Sequence, residues 1–569
     1  MTASTAKIDH NHAEGADVAG ALDLLLTDAA LGPIRRFVPG PSSGKFALEL
    51  AKQPRSLARR GVDLGGELAK ITVGKSDVVP SSRDRRFADP AWTANPFFRR
   101  MVQAYLVAGR TAEGLVADAD LDWRDTERVH FLVSNLIEAW APSNNPLFNP
   151  LAWKALIDTG GVNVVRGTRA LIGDLMSAPR VPSMVNTDAF EVGRNLATTP
   201  GSVVVRTPMF ELIQYGPTTA TVRERPLLIV PPTINKYYIL DLAEQRSVVE
   251  YLVNQGQQVF VISWRNPDAR HAQWGFDAYG VAILDALDAV QQVTGVDQSL
   301  LLGVCSGGIL ASLVMAHLAA TGRQDRVAGF GLWVTMLDQE RAGVAGALVD
   351  QRTAKAAIAA SRARGYLDGR ALAEVFAWLR PGDLIWNYWV NNYLQGKTPP
   401  AFDILYWNAD TTRMTAALHR DFVNLGVHNA LTGPNGLQVL DTDIDLASVE
   451  VDSYVVAGVN DHICPWQACY RSTQMLGGDS RFVLSSSGHI AAMVNPPGNP
   501  KSSYFVADKT PDDPAHWQAQ ARAERGSWWP DFDAWLAERS GGSRPAPDAV
   551  GSAAHPPLEA APGTYVFDN

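Results

Sequence analysis

The pentapeptide Gly303-Val304-Cys305-Ser306-Gly307 restricts the folds open to this chain more than any other segment. The apolar run 300–302 precedes it, and apolar residues at helical spacing follow it over 309–320. A strand, a sharp turn and a helix form the setting of a nucleophile elbow, in which small neighbours let a reactive side chain stand on a strained turn. The pentapeptide therefore predicts an α/β-hydrolase fold with Cys305 as the nucleophile.

Cysteine at the elbow favours acyl transfer over simple hydrolysis. A thiolate is a strong nucleophile, and the thioester that it forms conserves the energy of a thioester donor such as an acyl-CoA. The backbone amide of Ser306, at the start of the predicted helix, is a candidate oxyanion donor. A second donor is expected in the loop 231–236, which follows the apolar run 227–230, and Ile234 or a neighbour is the candidate.

Two later loops supply candidates for the rest of a catalytic triad. In this fold the chain order is nucleophile, acid and base. Asp461 follows the apolar run 455–459, and His489 follows a predicted strand at 481–485. We expect His489 to take the proton of Cys305 while Asp461 holds the imidazole. His462 is the alternative base, and Asp461 could instead deprotonate the substrate hydroxyl more directly.

The other two cysteines, Cys464 and Cys469, are expected to be packing residues. They lie near the acid loop, but without a further cysteine or a suitably spaced histidine they do not form the pattern of a zinc site. We therefore expect no metal site. Three cysteines in 569 residues also argue against a disulfide framework and favour a reducing compartment.

Changes in residue pattern divide the chain into four parts. Residues 1–20 are polar and predict a disordered tail, whereas residues 21–197 space apolar residues at helical intervals and predict a mostly helical N-terminal domain. Residues 198–540 alternate β-rich and helical segments, which predicts the catalytic domain, and an aromatic-rich insertion at about 341–442 predicts a lid. Residues 541–569 are rich in Pro and Ala without a period and predict a C-terminal tail.

Charge and hydropathy exclude several classes of partner. The net charge of -9 and the absence of a long Lys/Arg block argue against nucleic acid. Residues 1–20 lack the apolar run of a secretory signal, and no stretch reaches the roughly 18 apolar residues that span a bilayer. We expect a cytoplasmic protein with no transmembrane segment, whose contact with any hydrophobic phase is peripheral.

Beyond the elbow, the chain resembles the polyhydroxyalkanoate synthases over nearly all of its length. The segments that carry the resemblance are RDRRFADPAW (83–92), DAFEVGRNLA (188–197), PPTINKYY (231–238), SWRNP (263–267), RPGDLIWNY (380–388), FDILYWN (402–408), GHI (488–490), NPP (495–497) and GSWWP (526–530). Chance similarity over so many segments is negligible.

The resemblance implies an acyltransferase that polymerises (R)-3-hydroxyacyl-CoA onto a growing polyester chain, with release of CoA and without a cofactor. It implies Cys305 as nucleophile, His489 as general base and Asp461 as its acid partner. It further implies a cytoplasmic homodimer at the surface of polyhydroxyalkanoate granules, with granule-associated proteins (phasins) as partners. The mostly helical N-terminal domain is the candidate for the dimer or granule role.

The resemblance is closest to class II, the single-subunit medium-chain group, with class I as the alternative. Segments 386–393 and 399–408 look most like class II. Thr335 stands where medium-chain members commonly carry serine and short-chain members threonine, so it is a candidate specificity residue. The preferred side-chain length of the monomer therefore stays open.

Two other functions also stay open. A Cys-dependent acyl-CoA thioesterase of the α/β-hydrolase fold would release free 3-hydroxy acid instead of polymer. A non-enzymatic granule-coat protein would need neither the strained elbow nor the distant Asp461 and His489.

Overall fold

The computed structural model describes residues 29–30, 41–82, 84–339, 351–433, 436–461 and 463–569. The tail expected at 1–20, the first part of the expected lid and His462 lie outside these residues. The chain divides into two compact units. The helical unit comprises Leu31–Asn186 and Arg370–Ala401, and the sheet unit comprises Met1–Ala30, Thr187–Gly369 and Phe402–Asn569.

The strands are numbered in chain order. They are β1 (Gly201–Arg206), β2 (Phe210–Tyr215), β3 (Thr221–Arg223), β4 (Leu227–Val230), β5 (Val259–Trp264), β6 (Ser299–Val304), β7 (Val327–Trp333), β8 (Tyr366–Leu367), β9 (Met414–Thr415), β10 (Gln438–Val439), β11 (Thr442–Asp443), β12 (Ser453–Gly458), β13 (Ser480–Ser485), β14 (Ser503–Val506), β15 (Arg522–Arg525), β16 (Ser543–Pro545) and β17 (Glu559–Ala560).

The α-helices are numbered in the same way. They are α1 (Pro41–Ala51), α2 (Pro54–Thr72), α3 (Ala91–Ala94), α4 (Pro96–Asp118), α5 (Trp123–Ala139), α6 (Pro150–Asp158), α7 (Val162–Met176), α8 (Val248–Asn254), α9 (Phe276–Thr294), α10 (Ser306–Ala320), α11 (Gln351–Arg364), α12 (Gly369–Leu379), α13 (Asp403–Ala409), α14 (Ala416–His428), α15 (Trp466–Met475), α16 (His489–Met493), α17 (Pro514–Gln520) and α18 (Trp529–Arg539).

The sheet unit is built on one large mixed sheet with the order β15-β14-β13-β12-β7-β6-β4-β5-β2-β1-β17. Its centre, from β13 to β5, is parallel, and the strands on either side pair antiparallel. The central strands are buried along nearly their whole length, because helices cover parallel strands on both faces. This is the predicted α/β-hydrolase plan, and the carboxyl ends of β6, β12 and β13 meet at one edge of the sheet.

Strand β7 ends earlier than its apolar run predicts. The sequence pattern predicts a strand to Met336, but β7 stops at Trp333 because Val334 has a φ of 45°. A β-branched residue rarely adopts a positive φ, so this turn is strained. The turn directs the chain from the sheet to Thr335, behind the elbow.

The segment 341–442, which was expected to form a lid, is divided between the two units. Residues 370–401 belong to the helical unit, where they form α12 and two π-helical turns, Gly382–Trp386 and Trp389–Leu394. Within that unit Asn163 Nδ2 donates to the Leu394 carbonyl at 2.9 Å, and Trp389 Nε1 donates to the Asn144 carbonyl at 3.0 Å. The segment is thus part of the helical unit, and its role as a lid stays a prediction.

The expected tail at 541–569 is an ordered part of the sheet unit. Strand β16 pairs with β3, and β17 extends the large sheet beside β1. Tyr565 and Val566 are buried, and the buried carboxylate of Glu211 accepts hydrogen bonds from the Thr564 and Tyr565 amides, both at 3.0 Å. The tail assignment is wrong because these anchoring groups lie far away in the sequence and leave no local pattern.

The helical unit carries a pocket and an exposed apolar surface. Its pocket, of about 370 Å³, has an apolar lining that includes Trp153, Leu171 and Trp389. Among the described residues, no helix has the length and apolarity needed to cross a bilayer.

Candidate active site

Cys305 stands on a strained turn between β6 and α10. Its φ of 52° and ψ of -122° are unfavourable for a non-glycine residue, and its amide donates to the Trp333 carbonyl at 2.9 Å. The turn fits only because its neighbours are small. A Cβ on Gly303 would lie 2.5 Å from the Gly308 Cα, and one on Gly307 would lie 2.3 Å from the Pro231 carbonyl oxygen. This is the geometry of a nucleophile elbow.

Asp461 and His489 meet at the same edge of the sheet. Asp461 lies in the loop after β12, and His489 is the first residue of α16, shortly after β13. The His489 Nδ1–H donates to Asp461 Oδ2 at 2.7 Å, and both residues are about 5% exposed. The other carboxylate oxygen, Oδ1, accepts the amides of Ile463 and Cys464, both at 2.9 Å. The carboxylate thus fixes the imidazole with Nε2 free for proton transfer.

Cys305, at the end of β6, lies at the same edge of the sheet as His489 and Cys464. Cys464 and burial raise the pKa of the Cys305 thiol, while His489 acts in the opposite direction. Burial lowers the pKa of His489, but the charge and hydrogen bond of Asp461 outweigh it and raise that pKa above its ordinary value. Asp461 therefore increases the affinity of the imidazole for a proton and would stabilise the imidazolium that forms when His489 takes up a proton.

The loop 231–236 packs against the start of α10. The Thr233 amide donates to Ser306 Oγ at 3.0 Å, so that amide is already engaged. Ile234 is buried beside it. Among the described residues, the backbone amides of Ser306 and Ile234 have no protein acceptor, as oxyanion donors require.

Thr335 supports the elbow from behind. It is fully buried, and its Oγ1 lies 3.2 Å from the Cys305 carbonyl oxygen and 3.0 Å from that of Trp333, so its proton is shared between them. A Cβ on Gly308 would approach this oxygen to 2.0 Å. Through these contacts, Thr335 can influence the position of the nucleophile.

Cys464, expected to be a packing residue, lies close to two of the triad candidates. Its Sγ, a ring nitrogen of His489 and a carboxylate oxygen of Asp461 all lie within 4.8 Å of one another. The sequence carried a signal for this proximity. An Asp side chain often accepts the backbone amide of a residue two or three positions later, and the tight turn that results keeps the two residues close together. The candidate alternative base, His462, lies outside the described residues.

Comparisons with known proteins agree with this geometry. The model of the poly-beta-hydroxybutyrate polymerase (PhaC) N-terminus matches residues 83–252, and that of the alpha/beta hydrolase fold matches residues 226–496. The chain is 48% identical over 516 residues to poly(3-hydroxyalkanoate) polymerase 2 of Ectopseudomonas oleovorans, which covers 91% of this chain and 92% of that protein.

Two further relatives are similar over most of their length. Poly(3-hydroxyalkanoate) polymerase 1 of Ectopseudomonas oleovorans is 46% identical over 528 residues, 93% of this chain and 94% of that protein. The poly(3-hydroxyalkanoate) polymerase subunit PhaC of Cupriavidus necator is 40% identical over 500 residues, 87% of this chain and 84% of that protein. Because the similarity extends over most of the chain and the nucleophile elbow is present, the chain belongs to the poly(3-hydroxyalkanoate) polymerase family.

Proposed function

We propose that the protein polymerises (R)-3-hydroxyacyl-CoA into a polyester, with Cys305 carrying the acyl group as a thioester and CoA as the leaving group. The observation that carries the proposal is the strained nucleophile elbow of Cys305 at the sheet edge where Asp461 holds the His489 imidazole through Nδ1. No cofactor takes part in the proposed reaction.

The reaction has two steps. In the first, Cys305 Sγ attacks the thioester carbonyl, His489 Nε2 takes the thiol proton, and CoA leaves with that proton as its own thiol. In the second, the hydroxyl oxygen of the next hydroxyacyl group attacks the acyl-cysteine, and the proton of that hydroxyl passes through His489 to the departing Cys305 sulfur. One ester bond forms, and the amides of Ser306 and Ile234 stabilise the oxyanion in both steps.

His489 is favoured over Asp461 as the base toward the substrate hydroxyl. Asp461 Oδ2 accepts the imidazole N–H, and Oδ1 accepts two backbone amides, so both oxygens are engaged within the protein. A carboxylate held in this way orients and stabilises an imidazolium better than it removes a proton from a substrate.

The direct test is an assay of the purified protein on (R)-3-hydroxyacyl-CoA. We expect release of CoA together with chloroform-soluble polymer, and we expect Cys305→Ala to lower the rate by at least about a thousandfold. Free 3-hydroxy acid as the main product would instead identify a thioesterase. Full polymer formation by a folded Cys305→Ala variant would contradict a catalytic role for this thiol and favour a granule-coat function.

The monomer preference follows from the same assay. We propose medium-chain monomers, supported by the class II likeness of segments 386–393 and 399–408. Faster turnover of eight- to twelve-carbon than of four-carbon acyl-CoA would support this preference. The reverse order would indicate the short-chain specificity of class I, whose members carry threonine at the position of Thr335.

We also place the protein in the cytoplasm at the granule surface, as a homodimer, with phasins as granule partners. In the helical unit, Ile157 of α6 and Val165 and Met176 of α7 are 76%, 72% and 82% exposed. Large apolar side chains exposed on neighbouring helices mark a surface that binds an apolar phase, and an aliphatic polyester provides one. Light scattering of the purified protein tests the dimer.

A further inference from the structure

The hydroxyl of Ser306 joins the helix that follows the nucleophile to the loop 231–236. Ser306 is the first residue of α10 and is fully buried. Its Oγ accepts the Thr233 amide at 3.0 Å, and the Thr233 Oγ1 lies 3.2 Å from the same oxygen. The hydroxyl is therefore engaged within the protein, and the proposed reaction gives this side chain no part in the proton transfers.

The two residues of this hydrogen bond carry or adjoin the two candidate oxyanion donors. One donor is the backbone amide of Ser306 itself, and the other is the amide of Ile234, the residue after Thr233. Consecutive Cα atoms lie about 3.8 Å apart, so the position of the Thr233 amide limits where the Ile234 amide can lie. The side chain of Ser306 thus constrains the distance between the two donors.

Other hydrogen bonds of the loop lead to elements away from the nucleophile. Trp264 Nε1, at the end of β5, donates to the Pro231 carbonyl at 3.1 Å. Thr412 Oγ1, in the segment after α13, donates to the Thr233 carbonyl at 3.4 Å. Among the residues that the structure describes, the serine hydroxyl is the hydrogen-bonded link between this loop and α10.

We propose that Ser306 is a positioning residue for the oxyanion, whose hydroxyl holds the Ile234 amide at hydrogen-bonding distance from the reacting carbonyl oxygen. Oxyanion donors act at about 2.7–3.1 Å, and a misplacement of about 1 Å can cost roughly a hundredfold in rate. Without the hydroxyl, the buried Thr233 amide loses its acceptor, and the segment that carries Ile234 must rearrange to satisfy it. The inference rests on the proposed function, because it assumes that Cys305 attacks an acyl carbonyl.

Two inhibitors separate the oxyanion from the bound ground state. An alkyl trifluoromethyl ketone of the preferred chain length adds reversibly to the nucleophile. A bond forms between its carbonyl carbon and Cys305 Sγ, the thiol proton goes to His489, and the carbonyl oxygen becomes an oxyanion. A thioether analogue of the acyl-CoA has no carbonyl, so its inhibition constant measures ground-state binding alone. Both constants are measured on the full-length protein, together with kcat and KM.

The variants isolate the hydroxyl of Ser306 from the packing of α10. Ser306→Ala removes the hydroxyl. Ser312→Ala is the matched control, because Ser312 is also a fully buried serine of α10 but donates to the Gly308 carbonyl at 2.8 Å within the helix. Ser306→Thr and Ser306→Val form a second pair of nearly equal size in which only threonine keeps the hydroxyl. Circular dichroism and thermal unfolding verify that each variant is folded.

We expect Ser306→Ala and Ser306→Val to lower kcat about tenfold to a hundredfold, with KM within about twofold of the wild type. Both should weaken inhibition by the ketone by a similar factor and leave inhibition by the thioether unchanged. Ser306→Thr and Ser312→Ala should stay within about threefold of the wild type in kcat and in ketone inhibition.

Two results would overturn the inference and leave the proposed function in place. One is equal inhibition of the wild type and Ser306→Ala by the ketone, and the other is an equal loss of ketone and thioether inhibition, which would reduce Ser306 to a structural role. A wild type that the ketone does not inhibit would contradict the nucleophilic role of Cys305, and the inference would fail together with the proposed function.

Discussion

At the residue scale, the hydroxyl of Thr335 is the contact that joins the nucleophile turn to the end of β7. Replacing it with the isosteric valine removes the shared hydrogen bond to the carbonyls of Cys305 and Trp333 while filling the same space. We expect Thr335→Val to lower kcat roughly fivefold to thirtyfold, the equivalent of about 1–2 kcal/mol, with little change in KM. Steady-state kinetics measure the effect.

The matched control for this position is Thr335→Ser, which keeps the hydroxyl and removes only a methyl group. It should retain a kcat near that of the wild type. If valine and serine lower kcat equally, the hydroxyl is not the group that positions the nucleophile.

The reactivity of Cys305 should depend on its neighbour Cys464. The hydrogen bond to Cys464 raises the pKa of the Cys305 thiol, so at a given pH a smaller fraction is thiolate, the form that reacts. Cys464→Ala should lower that pKa and speed alkylation of Cys305 by iodoacetamide at pH 8, with the two proteins converging at pH values above the wild-type pKa. Mass spectrometry of the peptide that contains Cys305 measures the rate.

Cys469→Ala provides the comparison for the alkylation experiment, since the pKa of Cys305 responds to burial, Cys464 and His489 and not to Cys469. Its profile should follow the wild type. A Cys464→Ala profile displaced to higher pH would show that Cys464 favours the thiolate instead, and would reverse the electrostatic interpretation.

The triad candidates could be found from sequence because each lies directly after a strand. Cys305, Asp461 and His489 follow β6, β12 and β13, and parallel strands deliver their carboxyl ends to one edge. The position of Cys464 was missed because it depends on a turn within the acid loop rather than on the strand. The spacing in the sequence predicted where the loop of Asp461 lies. The position of the Cys464 thiol near the imidazole depends on the hydrogen bonds of Asp461 within that loop.

At the element scale, the loop 231–236 is held by two distant segments through Lys236. The buried ammonium lies 2.8 Å from Asp410 Oδ1 and 2.6 Å from the Val566 carbonyl oxygen. Trp407 Nε1 also donates to the Lys236 carbonyl at 2.6 Å. The candidate oxyanion donor Ile234 therefore sits in a loop whose shape depends on α13 and on the chain after β17.

Lys236→Met should destabilise the protein by about 3–5 kcal/mol, because it leaves a partly buried carboxylate without its cation. It should also lower kcat more than it changes KM, because the loop carries a candidate donor to the oxyanion and is not assigned a contact with the acyl chain of the substrate. Thermal unfolding and steady-state kinetics measure the two effects. Lys236→Arg should recover part of both, and a Lys236→Met variant with wild-type stability and kcat would show that the loop holds its shape without this anchor.

The strands that sequence predicted well are those with two apolar faces, such as β4 and β6. The pattern missed β2, although it is fully buried, because Glu211 and Gln214 interrupt its apolar run. Glu211 is buried because Arg206 and the amides of Thr564 and Tyr565 satisfy it. These long-range bonds explain why the sequence of 541–569 gave no sign of order. Segment 370–401 is likewise held by bonds to distant residues of the helical unit, such as Asn144 and Asn163, so its own sequence does not indicate which unit it joins.

At the scale of the whole molecule, the exposed apolar side chains of α6 and α7 are the proposed contact with the polyester. A charge placed there must be desolvated against an apolar phase, which is unfavourable. We expect Val165→Asp and Met176→Asp to lower the fraction of protein that sediments with granules in a washed-granule assay.

Ser177→Asp supplies the control, because it places the same charge on the exposed residue next to Met176 without removing apolar surface. It should sediment with granules much as the wild type does. Equal losses for Met176→Asp and Ser177→Asp would point to general charge repulsion and remove the support for an apolar granule contact.

The division of the chain into two interleaved units has a consequence for its synthesis. Leu31–Asn186 leaves the ribosome early, yet its partner segment Arg370–Ala401 begins only after 183 further residues have been added. At translation rates of about 5–20 residues per second, this interval lasts roughly 10–40 s. During that time the nascent helices keep apolar surface uncovered, so chaperone supply should govern the yield of this protein more strongly than that of a chain whose domains are contiguous.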